Sequence, residues 1–192
     1  MNLRIFVLHT DKMTAHDARS LSRAADAAHA ARYASHTDRQ GAQTSLAANV
    51  LLRYGAAQML GVPMRRVTTA AGENGQPLLP GTGLFCSVSH TDTLCICAVA
   101  DVPVGIDAEK IRPAPLRVAQ RIFSPQEQQR LREASQTDRV FFEIWTRHES
   151  VVKLTGAGLR DIRAAVPEHV RTQTFLLEEA FAVSLSTFTD AS

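Results

Sequence analysis

No stretch of this chain approaches the roughly 20 consecutive apolar residues that a bilayer-spanning helix requires. The opening MNLRIFVLH is too short an apolar run for a secretory leader with a small-residue cleavage site. These two absences lead to the expectation of a soluble protein that stays in the cytoplasm. Cysteine is scarce: the sequence has three, Cys86, Cys95 and Cys97, an odd number that gives no disulfide framework and no paired CxxC signature of zinc. All three fall in apolar, strand-like runs and read as reduced core thiols. Net charge is nearly absent too, because 21 Lys and Arg against 19 Asp and Glu leave +2. That balance is too mild to argue for nucleic acid or a membrane surface, so any electropositive work must be local. The chain also lacks short-period repeats and low-complexity segments, which removes the repeat architectures.

What is present is an ordinary globular composition, 45% hydrophobic and 21% charged in 192 residues, enough to bury a core as one domain or as two small halves. LRIFVL reads as a buried strand, and Leu21, Ala24, Ala25, Ala28 and Ala31 follow at helical spacing after Thr14. A polar break, SHTDRQGAQT, precedes a stronger helix carrying Val50, Leu51, Tyr54, Ala57 and Met59, stopped by Gly61 with Pro63 beyond. LFCSVS and LCICAVA around HTDT predict a hairpin. VPVGIDAEKI then opens a second unit, with helical RVAQRIF, a helix from Ser124, a long helix from about Asp138 to Thr155, and strands TQTFLLE and FAVSLST. Strands and helices alternate in both halves, so the predicted class is α/β or α+β. The predicted boundary separates residues 1–101 from residues 102–192.

In VGIDAEK, strand alternation places Gly105, Asp107 and Glu109 on one face. Two carboxylates pointing the same way are either a solvated strand end or a site for a hard divalent cation that also binds phosphate. On the long helix, Val140, Phe141, Ile144, Trp145, His148, Val151 and Val152 form an apolar arc, with Glu149 and Lys153 just beyond one edge. That pair reads either as an ordinary i,i+4 ion pair or as an acid and a cation facing a cleft, one for metal or proton, the other for phosphate. SPQE supplies Ser124, Pro125 and Glu127 as a capping box, which by itself accounts for Glu127. Ser89 and His90 close a strand, either as turn residues or as phosphate contacts.

Taken in order, SVSH, VGIDAEKI, FSPQE and WTRHESVVKLTGAGL resemble the blocks of the 4'-phosphopantetheinyl transferase superfamily, specifically its two-lobed surfactin-synthetase type. The resemblance runs from about Asn74 to Leu159, with fainter agreement back through LAANVLLR. It implies two pseudo-symmetric α/β lobes and transfer of the phosphopantetheine arm of coenzyme A to a serine of an acyl or peptidyl carrier protein. In that reading Asp107, Glu109 and Glu149 hold magnesium against the pyrophosphate, and Lys153 serves the phosphate and the chemistry. Glu149 or Glu127 takes the serine proton. Ser89 and His90 match the phosphate-contacting pair, and Gly156 to Leu159 the turn after the catalytic helix. The alternative is a non-catalytic member of the same fold that binds coenzyme A or a carrier.

Three positions depart from the family pattern. Gln76 stands for a Lys before Pro, Thr44 for an Arg before the LAANVLLR helix, and His148 for the Lys before Glu149. Each change removes a fixed positive charge, which makes Arg39, Arg32 and Arg53 the candidate replacement anchors for coenzyme A. In RPAPLRVAQRIF, Arg117 and Arg121 stand one helical turn apart near Leu116 and Ile122. An acidic carrier protein is the partner that this basic rim would dock. No nucleic acid or membrane partner is expected, and the two-lobed chain is expected to act as a monomer.

Overall fold

The computed structural model describes residues 1–35, 39–91, 93–156 and 167–189, the side chains of residues 32, 39 and 40 apart. It is a mixed α/β protein whose two larger sheets each have three strands. The chain divides into two compact units, Met1–Val104 and Gly105–Ser192.

In the first unit, strands β1 (Leu3–His9), β4 (Phe85–His90) and β5 (Leu94–Ala100) form an antiparallel sheet in the order β1-β5-β4. β5 is buried along its whole length, as a central strand of continuous apolar residues should be. The predicted hairpin is this β4–β5 pair, with Ser89 opposite Ile96 and His90 opposite Cys95. β2 (Ala70–Ala71) and β3 (Pro77–Leu78) make a two-residue antiparallel ribbon in the turn-rich segment. The helix α3 (Arg39–Leu60) covers the sheet with Ala47, Leu51, Leu52 and Ala56, which join Cys95, Cys97 and Val99 in one core. Burial pushes the Cys95 thiol up to about 12 and holds the Cys97 thiol well above its ordinary range, so both are protonated, inert core groups. α3 ends where Gly61 takes φ +65°, a conformation glycine adopts without steric cost.

Two details differ from the sequence expectation. The first helical stretch is two helices, α1 (Ala15–Ala24) and α2 (Ala27–Ser35). Asp26 breaks it: its carboxylate accepts the His29 backbone N–H at 2.9 Å, the Asn49 side-chain amide at 2.8 Å and the Thr69 hydroxyl at 2.6 Å. A side chain satisfied in this way stabilises a new helix start rather than a helix interior. In addition, α3 begins at Arg39, inside the segment read as a polar break.

The second unit holds all but the first residue of β6 (Val104–Lys110), together with α4 (Leu116–Ile122), α5 (Pro125–Glu133), α6 (Thr137–Thr155), β7 (Val170–Leu177) and β8 (Phe181–Phe188). Its sheet order is β6-β8-β7, with β7 and β8 antiparallel. α6 packs on β8 and β7, and Phe123, Leu131, Phe141, Phe142 and Ile144 form a core with Ala182. Phe141 lies nearly parallel to Trp145, with centroids 6.2 Å apart. Among the described residues no helix is long and apolar enough to cross a membrane.

Candidate active site

Site geometry begins with the face of β6 that carries Gly105, Asp107 and Glu109. Gly105 lies against α6 so closely that an added Cβ would stand 2.0 Å from the Ser150 carbonyl oxygen and 2.5 Å from the Leu154 nitrogen. Strand and helix backbones touch there, and only a residue without a side chain permits it. One strand repeat further, Asp107 reaches α6 as well: Lys153 donates from Nζ to its Oδ1 at 2.8 Å. Asp107 is 7% exposed and Lys153 29%, so the pair is largely removed from solvent on its acidic side.

Glu149, one turn before Lys153 on the same helix, is buried. Its pKa is pushed up to about 7: burial is the largest cause, the Asp107 charge is next, Glu109 adds to it, and Lys153 and His148 oppose it. Asp107, Glu109, Glu149 and Lys153 therefore act on one another electrostatically. Glu149 stands deeper than the edge position read from the helical arc, because Gly105 and Ser150 let β6 approach α6. The donor set consists of carboxylate oxygens, which suits a hard divalent cation, and a cation among them would relieve the repulsion that raises Glu149. As they stand, Lys153 holds Asp107, and Arg112 donates to Glu109 Oε2 at 3.0 Å while lying 4.8 Å from the centroid of the Phe142 ring. Among the described residues no three His, Cys, Asp or Glu side chains form a ready-made metal cage.

Glu127 occupies a different setting. Ser124 N donates to its Oε2 at 2.9 Å and Glu127 N donates to Ser124 Oγ at 3.3 Å, which closes the capping box expected for α5. The other oxygen, Oε1, lies 2.8 Å from His148 Nε2. Partial burial by itself would raise the Glu127 pKa, but the His148 and Ser124 hydrogen bonds outweigh it and hold the carboxyl down at about 2. His148 is buried and stacks on Phe123, with centroids 5.8 Å apart. His148 is thus a packed side chain tied to Glu127.

The remaining expected residues fall as follows. Ser89 is buried and His90 exposed at the end of β4. Thr44 is buried on α3. Gln76 is exposed, and its Oε1 accepts Asn74 N at 3.0 Å, so the side chain folds back on its own turn. Arg53 is not available as a replacement anchor: it is buried, its Nε donates to Val67 O at 3.0 Å, its Nη2 to Met64 O at 3.3 Å, and its Nη1 to Ala24 O. The side chains of Arg39 and Arg32, and residues 157–159, lie outside the described residues. Arg117 and Arg121 are exposed on α4 beside exposed Leu116 and half-buried Ile122. Sequence reasoning missed Arg112, although its spacing of three from Glu109 was a usable signal. It also missed the hydroxyls of Thr146 and Ser150, which carry no local signature.

Comparison with known proteins places this geometry in context. Residues 103–187 match the family model described as the 4'-phosphopantetheinyl transferase superfamily. The chain is similar to 4'-phosphopantetheinyl transferase psf-1 of Bacillus pumilus, 36% identical over 121 residues, covering 62% of this chain and 52% of that protein. It is also similar to a 4'-phosphopantetheinyl transferase of Bacillus subtilis, 33% identical over 125 residues, covering 63% and 55% respectively. To 4'-phosphopantetheinyl transferase gsp of Aneurinibacillus migulanus it is 32% identical over 120 residues, covering 62% and 50%. The chain thus matches about half the length of these curated relatives.

Proposed function

We propose that this chain, whose residues 103–187 match the model of the 4'-phosphopantetheinyl transferase superfamily, is a member of that superfamily and a holo-carrier-protein synthase. It would move the 4'-phosphopantetheine arm of coenzyme A to a serine of an acyl or peptidyl carrier protein. The observation that carries this reading is the Asp107–Lys153 pair with Glu149 beside it, one cation and two acids brought together from β6 and α6.

In this reading Asp107, Glu109 and Glu149 would hold magnesium, which when bound would supply positive charge against the pyrophosphate. Lys153 supplies a positive charge that follows the developing negative charge on phosphate, while its bond to Asp107 keeps it oriented. The carrier serine oxygen forms a bond to the β-phosphorus and the P–O bond to the nucleotide breaks, releasing adenosine 3',5'-bisphosphate. The serine proton goes to a carboxylate. Glu149 is favoured as the acceptor, through water or through an oxygen that does not hold the metal, because both Glu127 oxygens are already engaged and a group held at about 2 is a poor base. Ser89, His90, Gln76 and Arg39 are the proposed contacts to coenzyme A, and Arg117 with Arg121 the proposed basic rim for an acidic carrier. Reaction in the cytoplasm by a monomer completes the proposal.

The test is direct: incubate the protein with magnesium, coenzyme A and an apo carrier protein, and weigh the carrier by mass spectrometry. A gain of one phosphopantetheine supports the proposal, and D107N or K153A should abolish it. Consumption of coenzyme A with an unmodified carrier would replace transfer by hydrolysis. No change in either, across acyl and peptidyl carriers, would leave binding without turnover.

A further inference from the structure

Six hydroxyls line up in the second unit where α6 meets the sheet. Thr174 Oγ1 is 2.8 Å from Ser184 Oγ, and Ser184 Oγ is 2.9 Å from Thr146 Oγ1. One rung along, Thr172 Oγ1 is 2.7 Å from Ser186 Oγ, and Ser186 Oγ is 2.8 Å from Ser150 Oγ. Ser184, Ser186, Thr146 and Ser150 are all completely buried. Each hydroxyl has a single proton to give. Ser150 gives its own to Arg147 O at 2.9 Å, and Thr146 points its own at Glu143 O at 3.4 Å. The direction of both chains follows: β7 donates to β8, β8 to the helix hydroxyl, and that hydroxyl to the helix backbone.

The two rungs match because two periodicities coincide. Thr146 and Ser150 are four residues apart on a helix, a rise of about 6 Å. Ser184 and Ser186 are two apart on a strand, about 6.6 Å. Their β7 partners are also two apart and sit opposite them in register, Thr174 with Ser184 and Thr172 with Ser186. Alanines at these places would let α6 approach as closely, but any sliding along the strand would cost little. Hydroxyls instead require their partner within about 3 Å. A slide by one turn would leave buried hydroxyls without partners on one rung, an expensive outcome.

We propose that this double hydroxyl ladder is the register lock of α6, and that Thr146 and Ser150 are positioning residues that hold Glu149 and Lys153 level with Asp107. Glu149 lies between the two ladder positions in sequence and Lys153 one turn beyond them, so a shift of the helix moves both. The lock does not depend on what the site binds; only its kinetic consequence rests on the transferase reading.

The test removes both helix hydroxyls at little cost in shape, T146V/S150A, beside a control, T146S, that keeps the hydroxyl and deletes the methyl. Without magnesium, the coupling between Asp107 and Lys153 is read from the melting of D107N, K153M and D107N/K153M in each background. The ladder requires that coupling to fall by about half or more in T146V/S150A and to persist in T146S. Should the double variant fail to fold, T146V alone should show an intermediate loss. Coupling that survives T146V/S150A, or is lost equally in T146S, makes the ladder mere packing and overturns the proposal. The kinetic arm expects kcat to fall about tenfold in T146V/S150A with KM for coenzyme A little changed, because a displacement under 1 Å suffices for that loss. If the parent protein transfers nothing, the transferase reading fails, and the coupling experiment still decides the ladder.

Discussion

The Cβ that Gly105 lacks would stand 2.0 Å from the carbonyl oxygen of Ser150, so β6 and α6 meet backbone to backbone beside the acids. Neither backbone atom can swing aside as a side chain would. Gly105→Ala must push the helix off the strand and should cost about 3 kcal/mol or more of stability. Urea denaturation checks this, and a loss under about 1 kcal/mol would mean that the helix can move there without strain.

Glu149 gives a pH signature in the absence of divalent metal. Its folded-state pKa is about 7, against an ordinary value of 4.5. The folded protein therefore binds a proton that the unfolded chain has released between those values, and stability falls as pH rises through the window. It is complete below about 4.5 and lost above 7, a change of up to about 3 kcal/mol. In chelator, E149Q should lack this slope, so the stability difference between E149Q and the parent should grow from pH 5 to pH 8. Magnesium should stabilise the parent more at pH 8 than at pH 5. Parallel pH profiles for the two proteins would remove Glu149 as the titrating group.

The Glu127–His148 contact predicts the opposite dependence. Glu127 is held at about 2 instead of its ordinary 4.5, so its contribution is present above 4.5 and disappears as pH falls through 2. E127Q should be less stable by about 1–2 kcal/mol at neutral pH, through a weakened cap and a weaker bond to His148. That deficit should shrink in acid. Under the proposed function, E127Q retains measurable transfer while E149Q does not; the reverse ranking would hand the base role to Glu127.

How far the sequence could lead is set by the range of each interaction. The Ser124–Glu127 cap, the Gly61 stop and the β4–β5 hairpin were legible because each is decided within a few residues. Asp107, Glu109, Glu149 and Lys153 were legible because periodicity places them on faces. Asp26 was not, since the partners that break the helix there, Asn49 and Thr69, lie 23 and 43 residues away. Arg53 looked like a usable cation because sequence does not reveal which backbone carbonyls a long side chain will find. The ladder hid for the same reason: six serines and threonines on three separate elements carry no pattern until α6 is laid on β8 and β7.

The turn between β7 and β8 offers a gain in stability that leaves the site alone. Glu178 and Glu179 both have positive φ, 53° and 54°, which non-glycine residues adopt at a cost of about 1 kcal/mol each. The connection has three residues, Glu178 to Ala180, and Ala180 N donates to Leu177 O at 3.1 Å, so Glu178 and Glu179 are the central pair of a tight turn of this hand, a pair that Asn-Gly fits best. Replacing Glu179 removes a negative charge that acts on Arg139, but Arg139 keeps its 2.8 Å bond to Glu143, so little is lost there. E178N/E179G should therefore gain about 1 kcal/mol and raise Tm by about 2–4 °C, while E178A/E179A, which keeps the backbone cost, should gain nothing. Thermal melts of the three proteins decide it, and equal gains from both variants would assign the effect to charge rather than to backbone conformation.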